Sequence, residues 1–342
     1  MVKTAQRVEL ADHVFGSPPS TGREWFLKSC QRSRRFQLFI DRYKTKVRKK
    51  IRTAASDDDR YDVLAELEVS FLLLRGFRYP LDYEHFGQGT ARAPDLTMRL
   101  GAATKTHFEV KRIRESAYEQ DVDQWANTIA AAIRAIPSDL AVTLECHSIE
   151  EPFALLAHLQ GMTLQTINFA RSLIPSRSRQ VGGPERHEVP GSGGRLSLLL
   201  TRRPPDHTAR QTVFGGQMFP IGFTQKEHYK FGDAICEKLG QLRLNDANVL
   251  MITTGNLTHD DFDLCNAVAS LDDLTRSGAD AFFVRKGFGS AADFGSQLGA
   301  LGAVWFRSQY VGSSGPRNAV WINPGARVTV PADIARRLET LD

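Results

Sequence analysis

Apolar and polar residues alternate along this chain with periods that change from helical to extended and back. A helix is predicted between 61 and 75, because apolar side chains recur there three or four residues apart, at Leu64, Leu67, Phe71 and Leu74. Ser56 or Asp57 can cap its start, and Gly76 ends it. An alternating, aromatic run at 77–83 then predicts a strand.

Two further extended runs, 94–100 and 106–113, are separated by a turn that begins at Gly101. This arrangement predicts a β-hairpin. A helix over 118–135 and a short apolar strand over 140–146 follow. The predicted order from 61 onwards is therefore αβββαβ.

Helix and strand patterns continue to alternate through the rest of the chain, which predicts α/β architecture. The Gly- and Pro-rich segment 182–194 resembles a mobile loop, and the first twenty or so residues resemble an irregular arm. The remaining helices are predicted over 151–173, 229–242, 259–277 and from Pro331 onwards. The remaining strands are predicted over 195–201, 248–253, 279–284, 303–306 and 319–322.

The composition is that of a folded chain, since 42% of the 342 residues are hydrophobic and 24% are charged. We find no apolar run of about 18 residues and no export leader, so a cytoplasmic protein without membrane contact is expected. The four cysteines form no C-x-x-C pair, which argues against structural zinc.

Positive charge is concentrated near the N-terminus. The net charge is +5, and twelve lysine and arginine residues lie between Arg23 and Arg52. The pattern predicts basic helices, and such a face can bind a nucleic-acid backbone by releasing condensed counterions. The alternative is a basic face that is only solvated. The candidate phosphate contacts are Arg48, Lys49, Lys50 and Arg52.

The second strand of the hairpin carries charged residues on one face. Because side chains alternate along a strand, Glu109 and Lys111 share a face, and Phe108 and Val110 share the other. Asp95 lies at the start of the partner strand, fourteen residues before Glu109. Closure of the hairpin predicts that two carboxylates and one ammonium converge in a cleft.

This combination suits phosphodiester hydrolysis, which needs oxygen ligands for Mg²⁺, an activated water and a nearby cation. Asp95, Glu109 and the carbonyl of Val110 are the candidate metal ligands. Lys111 could position or deprotonate the water, or stabilise the transition state. The alternative to a catalytic role is a surface hairpin on which Glu109 and Lys111 form an ordinary ion pair.

Ala93-Pro94-Asp95 followed by Phe108-Glu109-Val110-Lys111 resembles the signature of the PD-(D/E)XK, or restriction-endonuclease-like, nuclease superfamily. The helix that contains Ala65-Glu66-Leu67-Glu68-Val69 resembles the opening helix of that superfamily, which often adds an acidic ligand. The resemblance covers about residues 61–146. It implies a restriction-endonuclease-like core, with a mixed sheet flanked by helices.

The resemblance also implies a function and a division of the chain. We expect an endonuclease that cuts DNA with Mg²⁺, or with Mn²⁺ as a substitute, in restriction or anti-phage defence. The expected parts are a basic helical segment over 1–55, the nuclease core over 56–150 and an α/β extension over 151–342.

Several alternatives stay open. Glu66 is favoured over Glu68 as the helix acid, because Ser70 and Leu73 share its flank. His107 is interpreted as a packed or strand-edge residue rather than a catalytic one. The rival function is a nucleic-acid-binding or assembly subunit of a defence or repair complex that does not cut on its own. A homodimer is also possible, since cutting two strands often pairs two sites.

Overall fold

The computed structural model describes residues 2–16, 21–84, 93–101, 104–114, 117–147, 152–178, 180–203, 212–218, 227–254, 261–308 and 318–341. The chain divides into two compact units. The first unit combines Met1–Arg114 with Glu227–Asp342, and the second unit is Glu115–Lys226. The second unit is thus an insertion into the first.

The elements follow in chain order. The first unit begins with α1 (Val2–Phe15), α2 (Thr21–Arg32), α3 (Arg34–Thr53), α4 (Asp57–Gly76), β1 (Leu81–Tyr83), β2 (Leu96–Arg99) and β3 (Lys105–Ile113). The second unit contains α5 (Ala117–Arg134), β4 (Leu140–Cys146), α6 (Pro152–Gly161), α7 (Thr163–Arg177), β5 (Glu185–Glu188), β6 (Leu196–Arg202) and β7 (Val213–Met218). The first unit resumes with α8 (Glu227–Leu239), β8 (Ala247–Thr254), α9 (Asp261–Arg276), α10 (Asp280–Arg285), α11 (Ala291–Leu298), β9 (Ala303–Ser308), β10 (Asn318–Ile322) and α12 (Ala332–Leu338).

The described strands of the first unit form a mixed sheet in the order β1-β2-β3-β8-β9-β10. β2 is antiparallel to both β1 and β3, and the register from Leu96 opposite Phe108 to Arg99 opposite Lys105 confirms the predicted hairpin. β8 runs parallel to β3 and to β9, while β10 is antiparallel to β9. Every residue of β8 is buried, as expected of a parallel strand covered on both faces.

Helices cover both faces of this sheet. On one face, Phe108 and Val110 belong to a core that includes buried residues of α1 to α4 and of α12. On the other face, Leu250 and Ile252 pack with buried residues of α8, α9 and α11. Since Glu109 lies opposite Leu250 in the register of β3 and β8, it belongs to the face that α8 covers.

Helix α4 begins as the sequence predicts. The Ser56 hydroxyl accepts a hydrogen bond from the amide of Asp59 at 3.1 Å, which caps the first turn. Beyond the other end, the guanidinium of Arg35 donates to the carbonyls of Leu74, at 2.9 Å, and Tyr79, at 2.6 Å. The Leu74 carbonyl, one of the last carbonyl groups of the helix, thereby gains a hydrogen-bond donor.

The second unit has its own sheet, in the order β5-β6-β4-β7, and its own core. β4 is antiparallel to β6 and parallel to β7. Trp125, Ile129 and Ile133 of α5 pack in this core with Leu144 of β4 and Ile174 of α7. Across the described residues of both units, no helix has the length and apolar character needed to cross a membrane.

The expected core over 56–150 is divided differently in the structure. The helix and strand predicted over 118–135 and 140–146 exist as α5 and β4, but they belong to the second unit. The strand that pairs with β3 is instead β8, far along the chain. The boundary predicted at 150/151 does not coincide with a limit of either unit, because local periodicity gives the type of an element and not its pairing partner.

Three local predictions also need correction. The N-terminal arm is helix α1, whose Leu10, Ala11 and Val14 are buried. The predicted loop over 182–194 contains β5, which pairs with β6. The apolar run at 279–284 forms helix α10 rather than a strand, since a run this short is ambiguous between the two periods.

Candidate active site

The backbone holds Asp95 at the point where β2 begins. Its carbonyl accepts a hydrogen bond from the amide of Glu84 at 2.9 Å, and its Oδ2 accepts one from the amide of Val110 at 2.8 Å. The second bond ties the side chain to β3 just beyond the last β2–β3 residue pair. In an extended strand the carbonyl of a residue points to the same side as its amide, so the Val110 carbonyl lies on the Asp95 side of β3.

Glu109 presents a buried carboxyl group to the same place. Glu109 as a whole is only 1% exposed. Burial, the charge of Asp95 and a hydrogen bond between the two side chains raise the pKa of Glu109 to about 8, although Lys238 opposes the shift. Asp95 and Glu109, predicted to meet, are therefore brought together by the structure.

Lys238, near the end of α8, lies against both carboxyl groups. Its Nζ is 3.0 Å from Glu109 Oε2 and 3.6 Å from Asp95 Oδ2, and its side chain is 13% exposed. Burial alone would lower the pKa of Lys238, but the charges of Asp95 and Glu109 outweigh it and raise the pKa. The ammonium is thus held in its charged form between two acids.

Lys111 lies on the predicted face of β3 but binds a different carboxylate. Its Nζ lies 2.8 Å from Oε1 and 2.7 Å from Oε2 of Glu237 on α8. The Glu237 side chain is 59% exposed. The predicted convergence of Asp95, Glu109 and Lys111 is therefore found for the two acids, whereas the ammonium that contacts them belongs to Lys238.

Glu66 is buried on α4 and faces this region. Its carboxylate accepts hydrogen bonds from Lys50 Nζ at 2.7 and 2.8 Å and from the Tyr83 hydroxyl at 2.5 Å. Burial and the charge of Asp95 raise the pKa of Glu66 to about 7 against the opposing effect of Lys50. Glu68 is only half-buried.

Lys50 does not lie on the exposed basic face predicted for it. Its ammonium joins Glu66 to Glu84, at 2.9 Å from the latter, and the two carboxylates outweigh burial and raise its pKa. Tyr43, Lys46 and Lys50 share a flank of α3 that faces the β1 end of the sheet. Of the other predicted phosphate contacts, Lys49 and Arg52 are exposed and Arg48 is half-buried.

Together these groups form an acid cluster, which we define as Glu66, Glu84, Asp95 and Glu109 with Lys46, Lys50 and Lys238. Lys46 Nζ lies 2.6 Å from Glu84 Oε2. Four carboxyl groups thus face three ammonium groups in a largely buried place. Burial first, and then the charge of Asp95, raise the pKa of Glu66 and Glu109, while the carboxylates raise the pKa of Lys50 and Lys238 against the effect of burial.

The residues fit a magnesium site of two carboxylates rather than a full protein cage. Within the described parts of the chain, no group of three or more His, Cys, Asp or Glu side chains is arranged to hold a metal ion. Mg²⁺ commonly takes only one or two carboxylates and keeps several waters. Asp95 and Glu109, which both contact the Lys238 ammonium, with the Val110 carbonyl on the Asp95 side of β3, could provide oxygen ligands of that kind.

His107 is packed, as the sequence analysis expected. It is 1% exposed. Its Nδ1 lies 2.9 Å from the Thr97 hydroxyl and its Nε2 lies 3.1 Å from Asp246 Oδ2. Both ring nitrogens are therefore engaged within the sheet and its border.

Lys238 was missed by the sequence analysis, although the sequence carries a signal for it. Phe231, Ala234 and Ile235 are buried on α8, and Lys238 follows them at the i, i+3, i+4, i+7 spacing of one helix face. A lysine at such an apolar position needs a buried acid as partner. The acid could not be identified from the sequence, because Glu109 is 129 residues away.

Comparisons with known proteins give no match for this chain among family models, curated proteins or solved structures.

Proposed function

We propose that this chain is a divalent-metal-dependent endonuclease that hydrolyses DNA phosphodiester bonds at Asp95 and Glu109. The observation that carries the proposal is the contact of the Lys238 ammonium with both the buried carboxyl group of Glu109 and the partly buried one of Asp95, on neighbouring strands. An acid whose pKa is strongly perturbed, as that of Glu109 is, and that is grouped with a specific charge partner is typical of functional sites.

The chemistry follows from the donor set. Asp95, Glu109 and the Val110 carbonyl would hold Mg²⁺, or Mn²⁺ in its place, and the ion would polarise a phosphate oxygen and acidify a water. Water adds to phosphorus, the bond to one sugar oxygen breaks, and that oxygen takes up a proton, leaving a phosphate monoester and a hydroxyl group. A lysine ammonium stabilises the negative charge that builds up on the phosphate oxygens.

The topology supports the likeness to the restriction-endonuclease-like core. With the second unit set aside, α4, β1, β2, β3, α8 and β8 follow one another in the order αβββαβ, and their strands are adjacent in one mixed sheet. Following that likeness, we assign Asp95 at the start of β2 and Glu109 in β3 as the metal ligands, and Glu66 on α4 as the auxiliary acid.

The free-energy cost of burying neighbouring carboxyl groups supports a ligand-binding role for this site. Leaving carboxyl groups buried beside one another is unfavourable for the folded chain. Natural proteins tolerate such arrangements chiefly where function requires them. A divalent cation would remove the repulsion between Asp95 and Glu109.

DNA is the proposed substrate because of the basic helix beside the acid cluster. Lys49 and Arg52 are exposed on α3, the helix whose Lys50 enters the cluster. Restriction or anti-phage defence in the cytoplasm, alone or within a larger complex, is the biological role that we propose for this activity.

A second candidate function is favoured by one observation. The Lys238 ammonium lies on both carboxyl groups, and an ion pair of this kind can also be a purely structural solution. The chain would then be a nucleic-acid-binding or assembly subunit that does not cut.

Incubation of supercoiled plasmid and single-stranded DNA with Mg²⁺ or Mn²⁺ distinguishes the two. The endonuclease predicts metal-dependent cutting that EDTA and Asp95→Ala both abolish. Asp272→Asn, which removes an exposed carboxylate of α9, is the matched control and should cut like the wild type. A mobility shift without cutting under every metal condition would reject the endonuclease and favour the binding subunit.

A further inference from the structure

Two lysines compete for the role of the amine at the proposed site. Lys111 follows Glu109 in β3, but its ammonium is bound by Glu237, whose side chain is 59% exposed. Lys238 comes from α8, and its ammonium contacts both Glu109 and Asp95. Glu237, which binds Lys111, is the neighbour of Lys238 on α8, so both lysines lie at the contact between α8 and β3.

We propose that Lys238 is the amine that acts in the endonuclease site, and that Lys111 serves to fasten α8 to β3 through Glu237. This inference rests on the proposed function. It moves the catalytic cation from the strand that carries Glu109 to the helix that covers it.

Position and burial favour Lys238. Its side chain is 13% exposed, against 25% for Lys111. A charge shielded from water acts more strongly on neighbouring charges than one at the surface. An ammonium beside both oxygen ligands is close to any phosphate that a metal ion on those ligands would bind, so its charge is available where the transition state needs it.

The helix position also argues against a role in packing alone. Lys238 continues the buried row of Phe231, Ala234 and Ile235, where an apolar side chain would bury without loss of hydration. Lys238 thus occupies a position that is unfavourable for a charge, and there it contacts Glu109 and Asp95, together with Gln241 at 3.4 Å.

The contact of Lys238 with Asp95 and Glu109 predicts opposite effects on metal binding and on cleavage. A positive charge beside the ligands repels a divalent cation. Removing the charge of Lys238 should therefore strengthen Mn²⁺ binding while it weakens cleavage. Loss of a packing contact would not produce these two opposite effects.

The test compares Lys238→Met, Lys238→Arg and Lys111→Met in the full chain, by plasmid cleavage and by calorimetric titration with Mn²⁺. Lys238→Met should slow cleavage by about 100-fold or more, the usual effect of deleting one charge-stabilising donor, and tighten Mn²⁺ binding by about fivefold or more. Lys238→Arg should recover part of the cleavage rate. Lys111→Met should reduce cleavage by less than Lys238→Met and leave Mn²⁺ binding within about twofold of the wild type, since Glu237 already binds its charge.

Lys286→Met is the matched control. It removes another lysine that binds α8, through Asp233 at 2.5 Å, and should change neither readout by more than about twofold. Urea unfolding and circular dichroism check that each variant is folded, and if Lys238→Met is not, Lys238→Gln replaces it.

The inference is overturned if Lys238→Met cuts at the wild-type rate, if Lys111→Met loses as much cleavage as Lys238→Met, or if Mn²⁺ binding weakens in Lys238→Met. A wild type that neither cuts nor binds Mn²⁺ refutes the proposed function itself, and the inference with it.

Discussion

Replacing Glu109 by glutamine should make the free energy of unfolding less dependent on pH. Glu109 is 1% exposed, and its pKa is raised to about 8 by burial and by Asp95. The unfolded chain releases this proton near the ordinary glutamate value, whereas the folded chain holds it until about pH 8. The stabilising effect of the bound proton is complete below the unfolded pKa and is lost as the pH rises through the folded pKa.

The magnitude follows from the size of the shift. Each pH unit between the two pKa values corresponds to about 1.4 kcal/mol, so the wild type should lose on the order of 4 kcal/mol of unfolding free energy between pH 5 and pH 9. A neutral glutamine cannot lose a proton, so Glu109→Gln should show a much flatter pH dependence.

Urea unfolding at one-unit pH intervals from 5 to 9, without divalent metal, measures the effect. The free energy of unfolding of Glu109→Gln should increase relative to that of the wild type as the pH rises. Loss of the carboxylate's contact with Lys238 makes this increase smaller. Glu237→Gln removes an exposed carboxylate from the same region and should stay within about 1 kcal/mol of the wild type at every pH. Parallel pH curves for the wild type and Glu109→Gln would refute the reasoning.

Two further predictions concern the neighbouring basic residues. Lys50→Met should destabilise the chain by about 2 kcal/mol at pH 8 and by less at pH 5, because Glu66 and Glu84 lose their shared cation and taking up a proton in its place costs less at the lower pH. Equal losses in urea unfolding at both pH values would contradict this. Replacing Arg48, Lys49 and Arg52 together by glutamine should flatten the dependence of DNA binding on salt by up to about 0.9 log-log units per lost duplex phosphate contact. An unchanged slope in fluorescence-anisotropy titrations would show that these three residues are only solvated and do not contact DNA phosphates.

The sequence predicts those parts of the site that depend on local structure. Alternation along β3 places Glu109 and Lys111 on one face, and a single hairpin returns the chain from Glu109 to Asp95. These relations span few residues and follow from the period of a strand. The hairpin and the proximity of the two acids could therefore be derived without coordinates.

Relations between distant segments could not be derived in this way. Lys238 reaches Glu109 across 129 residues, past the whole second unit. Lys50 carries the same charge pattern as its neighbours in α3, and only the packing of α3 on α4 distinguishes it from the exposed Lys49. Likewise β4 and β8 are both short apolar runs after a helix, and no local signal determines which of them pairs with β3.

The central claim is that Asp95 and Glu109 together hold a divalent cation. Calorimetric titration of the metal-free protein with Mn²⁺ at pH 8 tests this most directly. The account predicts a binding event in the wild type that is lost in both Asp95→Ala and Glu109→Gln and kept in Asp272→Asn. Absence of binding in the wild type, or binding that persists unchanged in both site variants, would contradict it.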